Sequence, residues 1–200
     1  MQDAPQSVDD PLPPHGFFPV SLNVVGRRCV VIGDDREARE KAEALREVDA
    51  DVVRVSDPAA LRDDDVTNAF FVISTPQDEA LSSRLRALAD RHRFLLCCID
   101  QPRYGFVAMQ AVVKRGPVRI TISTGGVAPR VGKILKQTFE KLLDAKFERF
   151  VARLAQRKRE NRTALADDRD ARRRAMIEAA DGFTIEAQAR YPQWFEDEEG

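Results

Sequence analysis

The chain has 200 residues, 43% of them hydrophobic, and a formal net charge of −1, which allows a real core in one or two domains. So balanced a charge gives no support for nucleic acid or an anionic membrane as partner. No apolar run approaches the roughly 20 residues needed to span a bilayer. Residues 1–16 hold four prolines and Asp3, Asp9 and Asp10 but no apolar signal region, so they read as a disordered N-terminus on a protein that is not exported. Cys29, Cys97 and Cys98 all lie in apolar, strand-like runs, as expected of reduced, buried thiols in the cytoplasm. Adjacent Cys97 and Cys98 would point to opposite faces of a strand, and only His15 and His92 accompany them. No metal site is expected.

Phe17 to Asn23 reads as an entry segment packed before the first strand. Cys29–Ile32 is continuously apolar and β-branched, as a strand buried on both faces should be. Gly33 ends it, residues 36–47 are rich in helix formers, and Val52–Val55 resumes a strand. Strand, tight turn, helix, strand is the opening of a nucleotide-binding α/β unit, in which glycines let the backbone approach a diphosphate at the helix N-terminus. Here Asp34 and Asp35 follow the single Gly33. Either the two carboxylates simply cap the helix, or the cofactor is held differently, with Arg36 or Arg39 compensating. Further strands are expected at Ala69–Ile73 and Phe94–Ile99, with a helix over 78–92 carrying Ala80, Leu81, Leu85, Leu88 and Ala89 on one face. This alternation predicts a Rossmann-like parallel sheet over 17–105, with helices on both faces. Ligands of such sheets bind beyond the strands' carboxyl ends, here Gly33-Asp34-Asp35, Ser56-Asp57, Ser74-Thr75 and Asp100-Gln101.

After Asp100 the pattern changes. Phe106–Val113 and Val118–Ser123 are two β-rich runs joined by Lys-Arg-Gly-Pro, which reads as a hairpin. Ser123-Thr124-Gly125-Gly126 follows, and then a helix starts at Pro129. Val131, Ile134, Leu135, Phe139, Leu142 and Leu143 form a wide apolar stripe on it, which Phe147, Phe150, Val151 and Leu154 continue. Residues 106–147 are therefore expected to form a small hairpin-and-helix region whose apolar stripe is either core or a dimer interface. Residues 148–200 are expected to be helical and charged, with 156–175 a solvated helix, and Trp194 and Phe195 ahead of an acidic tail.

Taken together, these segments resemble the siroheme-synthase precorrin-2 dehydrogenase/sirohydrochlorin ferrochelatase family over about residues 17–145. The matching residues are Phe18-Pro19-Val20, Leu22, Gly26-Arg27, Val31-Ile32-Gly33, Ala38, Lys41, Asp100, Pro102 and Phe106. The most specific match is Ile122-Ser123-Thr124-Gly125-Gly126 with Pro129, Lys133, Ile134 and Leu135. The resemblance implies a cytoplasmic homodimer in siroheme biosynthesis that oxidises the tetrapyrrole precorrin-2 with NAD, with Fe2+ as a possible further substrate. Asp100 would be the catalytic general base. Gly33, Asp34, Asp35, Arg36, Ser56, Ser74 and Thr75 would bind cofactor, and Ser123, Thr124, Gly125, Gly126 and Lys133 the substrate. The chain departs from the family pattern at Asp34 and Asp35, at Asp49 where a Gly usually precedes the second strand, at Thr75-Pro76-Gln77, and at Ala128. Most of these departures fall on the NAD side. An NAD-independent chelatase or non-catalytic tetrapyrrole binder is therefore one alternative, and a Rossmann-like interaction or regulatory module is a second.

Overall fold

The computed structural model describes residues 16–199, so the expected N-terminal tail lies almost wholly outside the described residues. The chain forms two compact units, one running up to Gln110 and including Ser123–Pro129, the other made of Ala111–Ile122 and the chain from Arg130 onward.

The first unit holds a parallel sheet of β1 (Arg28–Ile32), β2 (Asp51–Val55), β3 (Phe71–Ser74) and β4 (Leu95–Cys98), in the order β2-β1-β3-β4. Two helices cross it, α1 (Arg36–Arg46) and α2 (Glu79–His92). Strand alternation sends Cys29, Val31, Phe71, Ile73 and Cys97 to one face, where Ala38, Ala42 and Leu45 of α1 pack. Val30, Ile32, Val72, Leu96 and Cys98 go to the other, against Leu81, Leu85, Leu88 and Ala89 of α2. The two neighbouring cysteines thus occupy opposite faces, each as a free buried thiol, and burial pushes Cys97 up to about 12. Both helices begin on Asp caps. Asp35 accepts from the Ala38 amide at 2.8 Å, and Asp78 accepts from Ala80 and Leu81. Beyond α1, Asp49 has φ +58, a left-handed position that glycine adopts freely and Asp tolerates.

In the second unit, β5 (Ala111–Arg115) and β6 (Val118–Ile122) form an antiparallel hairpin. Its turn is shorter than the sequence suggests, because Lys114 and Arg115 remain in the ladder and only Gly116-Pro117 connect the strands. Gly116 has φ +52, as a two-residue hairpin turn with glycine first requires. Helix α3 (Pro129–Leu142) follows, and Arg115 donates to the carbonyls of Leu143 and Glu140 near its end. The apolar stripe does not run on through one helix. Asp144 accepts from the Lys146 and Phe147 amides and starts a new helix, α4 (Ala145–Ala164). Likewise the charged stretch 156–175 is not one helix: α4 ends at Leu165, and Asp168 caps α5 (Arg169–Ala180) by accepting from Ala171. Phe183 stacks on Phe150 at 5.1 Å between ring centroids. A last helix, α6 (Gln193–Glu199), contains Trp194, which is 61% exposed.

Candidate active site

In a parallel sheet all carboxyl ends share one edge. Along this edge lie Ser56 after β2, Gly33 after β1, Ser74-Thr75 at the end of β3 and Asp100 beyond β4. The ladder runs a residue past the strands: Gly33 donates to Val55, Thr75 to Ile32, and Ile99 to Ser74. From β1 the chain leaves toward β2 on one side, while β3 pairs on the other. The crevice above β1 and β3 is therefore the topological switch point, where open α/β sheets take their ligands.

Gly33 has φ +127, and a Cβ there would fall on Thr75 Oγ1. Only glycine fits. Thr75 is 8% exposed, and its hydroxyl meets the Ile32 carbonyl and, in a very short contact, Asp35 Oδ2. This contact reaches across the switch point, and Thr75 is thus committed to the turn itself. Bonds from the Thr75 hydroxyl and then the Ala38 amide hold the Asp35 carboxyl below its usual 3.8. Asp35 therefore takes α1 N-terminal amides that a diphosphate would otherwise use. Of the two possibilities that the sequence left open, capping describes Asp35.

Asp34 does something else. Exposed, it is approached by Arg54 at 3.3 Å and Arg39 at 3.5 Å. Arg54 also donates to the Gly33 carbonyl, while its Nε is buried without a hydrogen-bond partner among the described residues. Arg36 is exposed and paired with Glu40 at 2.6 Å. The turn thus fits a dinucleotide in one sense only. The close-approach glycine is present, and guanidinium groups rather than α1 amides are available to meet phosphates. Ser56 is exposed, whereas Ser74 is fully buried with its hydroxyl unpartnered among the described residues.

Asp100 has φ +58 and is exposed, with its Oδ2 accepting from the Gln77 amide at 3.0 Å. Gln101, the next residue, accepts from Ser82 Oγ at 2.6 Å. Residues 123–126 belong to the same unit as Asp100. There Ser123 Oγ accepts from the Gly125 amide, and Gly125 and Gly126 have φ +60 and +81. Two successive left-handed residues explain the paired glycines. Lys133 is exposed on α3, in the second unit. The sequence reading missed Gln77 and Arg54. Arg54 had a signal, being the one charge inside Val-Val-Arg-Val. Gln77 had none, because its partner is 23 residues away.

A family model described as "Putative NAD(P)-binding" matches residues 20–111. The siroheme synthase of Nitrosococcus oceani is 24% identical over 170 residues, covering 74% of this chain and 36% of that protein. The siroheme synthase of Xylella fastidiosa is 30% identical, over 72% of this chain and 34% of that protein. The chain thus spans about a third of the length of these siroheme synthases. The precorrin-2 dehydrogenase of Bacillus subtilis is 26% identical, over 72% of this chain and 99% of that protein. Among solved structures, SirC, a precorrin-2 dehydrogenase, superposes with a TM-score of 0.65 at 16% identity, covering 83% of this chain and 90% of that one. That likeness bears out the Rossmann-like fold with its hairpin and helical C-terminal part.

Proposed function

We propose that this chain is a member of the siroheme synthase N-terminal family and oxidises precorrin-2 to sirohydrochlorin with NAD as hydride acceptor and Asp100 as general base. The observation that carries this reading is the setting of Asp100. An exposed carboxylate stands at the ligand-binding edge of the sheet, with one oxygen held by Gln77 and the other without a partner among the described residues. A carboxylate fixed at one oxygen is oriented to take a proton at the second.

Precorrin-2 loses a hydride and a proton, so the products are sirohydrochlorin, reduced dinucleotide and H+. When bound, the dinucleotide supplies the hydride acceptor. Asp100 takes the proton, and Gln77 keeps its carboxylate from turning. Gly33 would allow the dinucleotide's close approach at the turn, and Arg36, Arg39 and Arg54 would hold its phosphates. Ser123 to Gly126 offer backbone donors for the carboxylates of the tetrapyrrole. The same base serves to remove pyrrole protons when Fe2+ enters as a further substrate. The stripe of Val131, Ile134, Leu135 and Leu142, each 38–49% exposed on α3, supports a homodimer. The three free buried thiols support a reducing, cytoplasmic setting. No helix among the described residues is long and apolar enough to cross a membrane.

A second reading, a tetrapyrrole chelatase or carrier without dinucleotide, is favoured by Asp35's hold on the α1 N-terminus. Asp100→Asn separates the readings. The oxidation proposal expects a loss of about 10²–10⁴ in turnover, with unchanged melting temperature and retained sirohydrochlorin binding. Normal turnover by a folded Asp100→Asn variant would rule out Asp100 as the base. Saturable sirohydrochlorin binding without any dinucleotide-dependent turnover in the native chain would favour the second reading.

A further inference from the structure

Asp100 stands at the third position of a four-residue turn that closes β4. The Gln101 amide donates to the Cys98 carbonyl at 3.2 Å, and between them Asp100 takes φ +58. Glycine fills that position freely, whereas an Asp keeps it only where its surroundings hold it. Gln101, at φ −128 and ψ 58, lies in neither a strand nor a helix and leads into Pro102. What holds this turn is α2. Ser82 is fully buried, and its Oγ donates to Gln101 Oε1 at 2.6 Å. The same hydroxyl meets the Cys98 thiol, so one side chain grips the first and the last residue of the turn. Glu79 and Arg86 flank Ser82 on one face of α2, three residues before it and four after. Glu79 pairs with Arg103, and the Arg86 guanidinium lies 4.1 Å from the centre of the Phe106 ring.

We propose that Ser82, acting through Gln101, is a positioning residue for Asp100 that fixes where its carboxylate stands on the ligand-binding edge; this rests on the reading of Asp100 as general base. The side chain and the backbone of the base are held separately. Gln77 fixes one carboxylate oxygen, and Ser82 fixes the turn that carries it. Both supports belong to one element. Gln77 immediately precedes Asp78, the cap of α2, and the Ser82 amide donates to the Asp78 carbonyl at 2.9 Å. The base is thus referenced to the first turns of a packed helix and not to its own exposed loop. Of the three contacts from α2, the flanking two are weak holds. Arg103 and Glu79 are 44% and 66% exposed, a setting in which an ion pair contributes little, and Phe106 is exposed as well. The Ser82 bond differs because its hydroxyl is shut away from water, so losing Gln101 leaves a buried polar group short of a partner. What such a bond supplies to a reaction is geometry: a shift of about 1 Å in the reacting groups costs about 10²-fold in rate.

The test is steady-state kinetics of the whole chain with precorrin-2 and NAD, on Ser82→Ala and Gln101→Met, beside sirohydrochlorin titration and thermal melting. The expected result is a kcat about 10- to 100-fold below native in each variant, with the KM for precorrin-2 and the affinity for sirohydrochlorin within about twofold of native. The double variant should be no slower than either single one, because both substitutions remove the same bond. A positioning role also means that Ser82→Ala costs nothing further in Asp100→Asn, whose base is already gone, whereas a merely structural loss would carry over in full. Gln101 is half-buried on a loop, so Gln101→Met decides the matter if Ser82→Ala does not fold. Native kcat in the folded variants, a fall in sirohydrochlorin affinity that matches the fall in kcat, or a full further loss in Asp100→Asn overturns the inference and leaves Asp100 standing as the base. Native turnover by Asp100→Asn overturns both.

Discussion

Gly33→Ala is expected to be among the most damaging single-methyl additions in the first unit. At φ +127 an alanine sits outside the backbone region open to L-residues, at a cost of about 1–3 kcal/mol. The new Cβ also falls on Thr75 Oγ1, with Asp35 Oδ2 and Ala38 Cβ at 3.4 and 3.5 Å. Thr75 has to move, and its hydroxyl then gives up the Ile32 carbonyl and the Asp35 carboxylate. Those losses amount to about 1–3 kcal/mol for a buried hydroxyl leaving a charged partner. Together the effects reach about 2–6 kcal/mol, a large share of the stability of an ordinary domain. Urea unfolding followed by circular dichroism measures it. Gly116→Ala is the control, because its φ is +52 but a Cβ there meets nothing within 4 Å. It should lose only about 1 kcal/mol. Adding Thr75→Ala to Gly33→Ala should cost less than the two single losses combined, because the clash is gone. A loss below about 1 kcal/mol for Gly33→Ala, or strict additivity with Thr75→Ala, would refute the steric reasoning.

Three further outcomes are expected. Asp144→Ala removes the cap that starts α4 and should cost about 1 kcal/mol in urea unfolding; an unchanged midpoint would mean that α3 and α4 do not depend on this break. The Asp35 and Asp144 carboxyls are both held below 3.8 in the folded chain, the first chiefly by Thr75 and the second chiefly by the Phe147 amide. A lowered folded pKa gives stability that is present above 3.8 and is lost as pH falls through the folded values. The melting temperature should therefore drop in strong acid, and more gently in Asp35→Asn/Asp144→Asn; an equally steep acid limb in that variant would contradict these shifts. Because burial raises Cys29 and Cys98 and lifts Cys97 to about 12, a disulfide reagent at pH 8 should modify the thiols only after unfolding. Rapid, stoichiometric reaction of the native chain would contradict their burial.

The first unit was largely legible in the sequence because its signals are local. A β-branched run, a glycine, a helix-forming stretch and a second valine run translate directly into β1, α1 and β2. The β3 strand starts two residues later than its apolar pattern, because Ala69 closes a turn onto Val66 and not a ladder. Beyond residue 129 the pattern misled. From Leu143 to Phe147 the apolar spacing is that of one continuous helix, yet Asp144 between them is a better cap than helix residue. No Gly or Pro marks the break at Leu165 either, and Asp168 alone announces α5. At the site, Asp100, Gly33 and the paired glycines stood out by position. The roles of Thr75, Gln77 and Arg54 depend on partners 20 to 43 residues away, a distance at which spacing rules carry no information.

The most direct measurement is anaerobic absorbance of precorrin-2 incubated with the purified chain and either NADP+ or NAD+, beside Asp100→Asn under the same conditions. The proposed function predicts sirohydrochlorin formation that requires both dinucleotide and native protein, with one reduced dinucleotide per tetrapyrrole and a loss of about 10²–10⁴ in the variant. Sirohydrochlorin formation at the uncatalysed rate with both dinucleotides, by a protein shown to be folded, would contradict it.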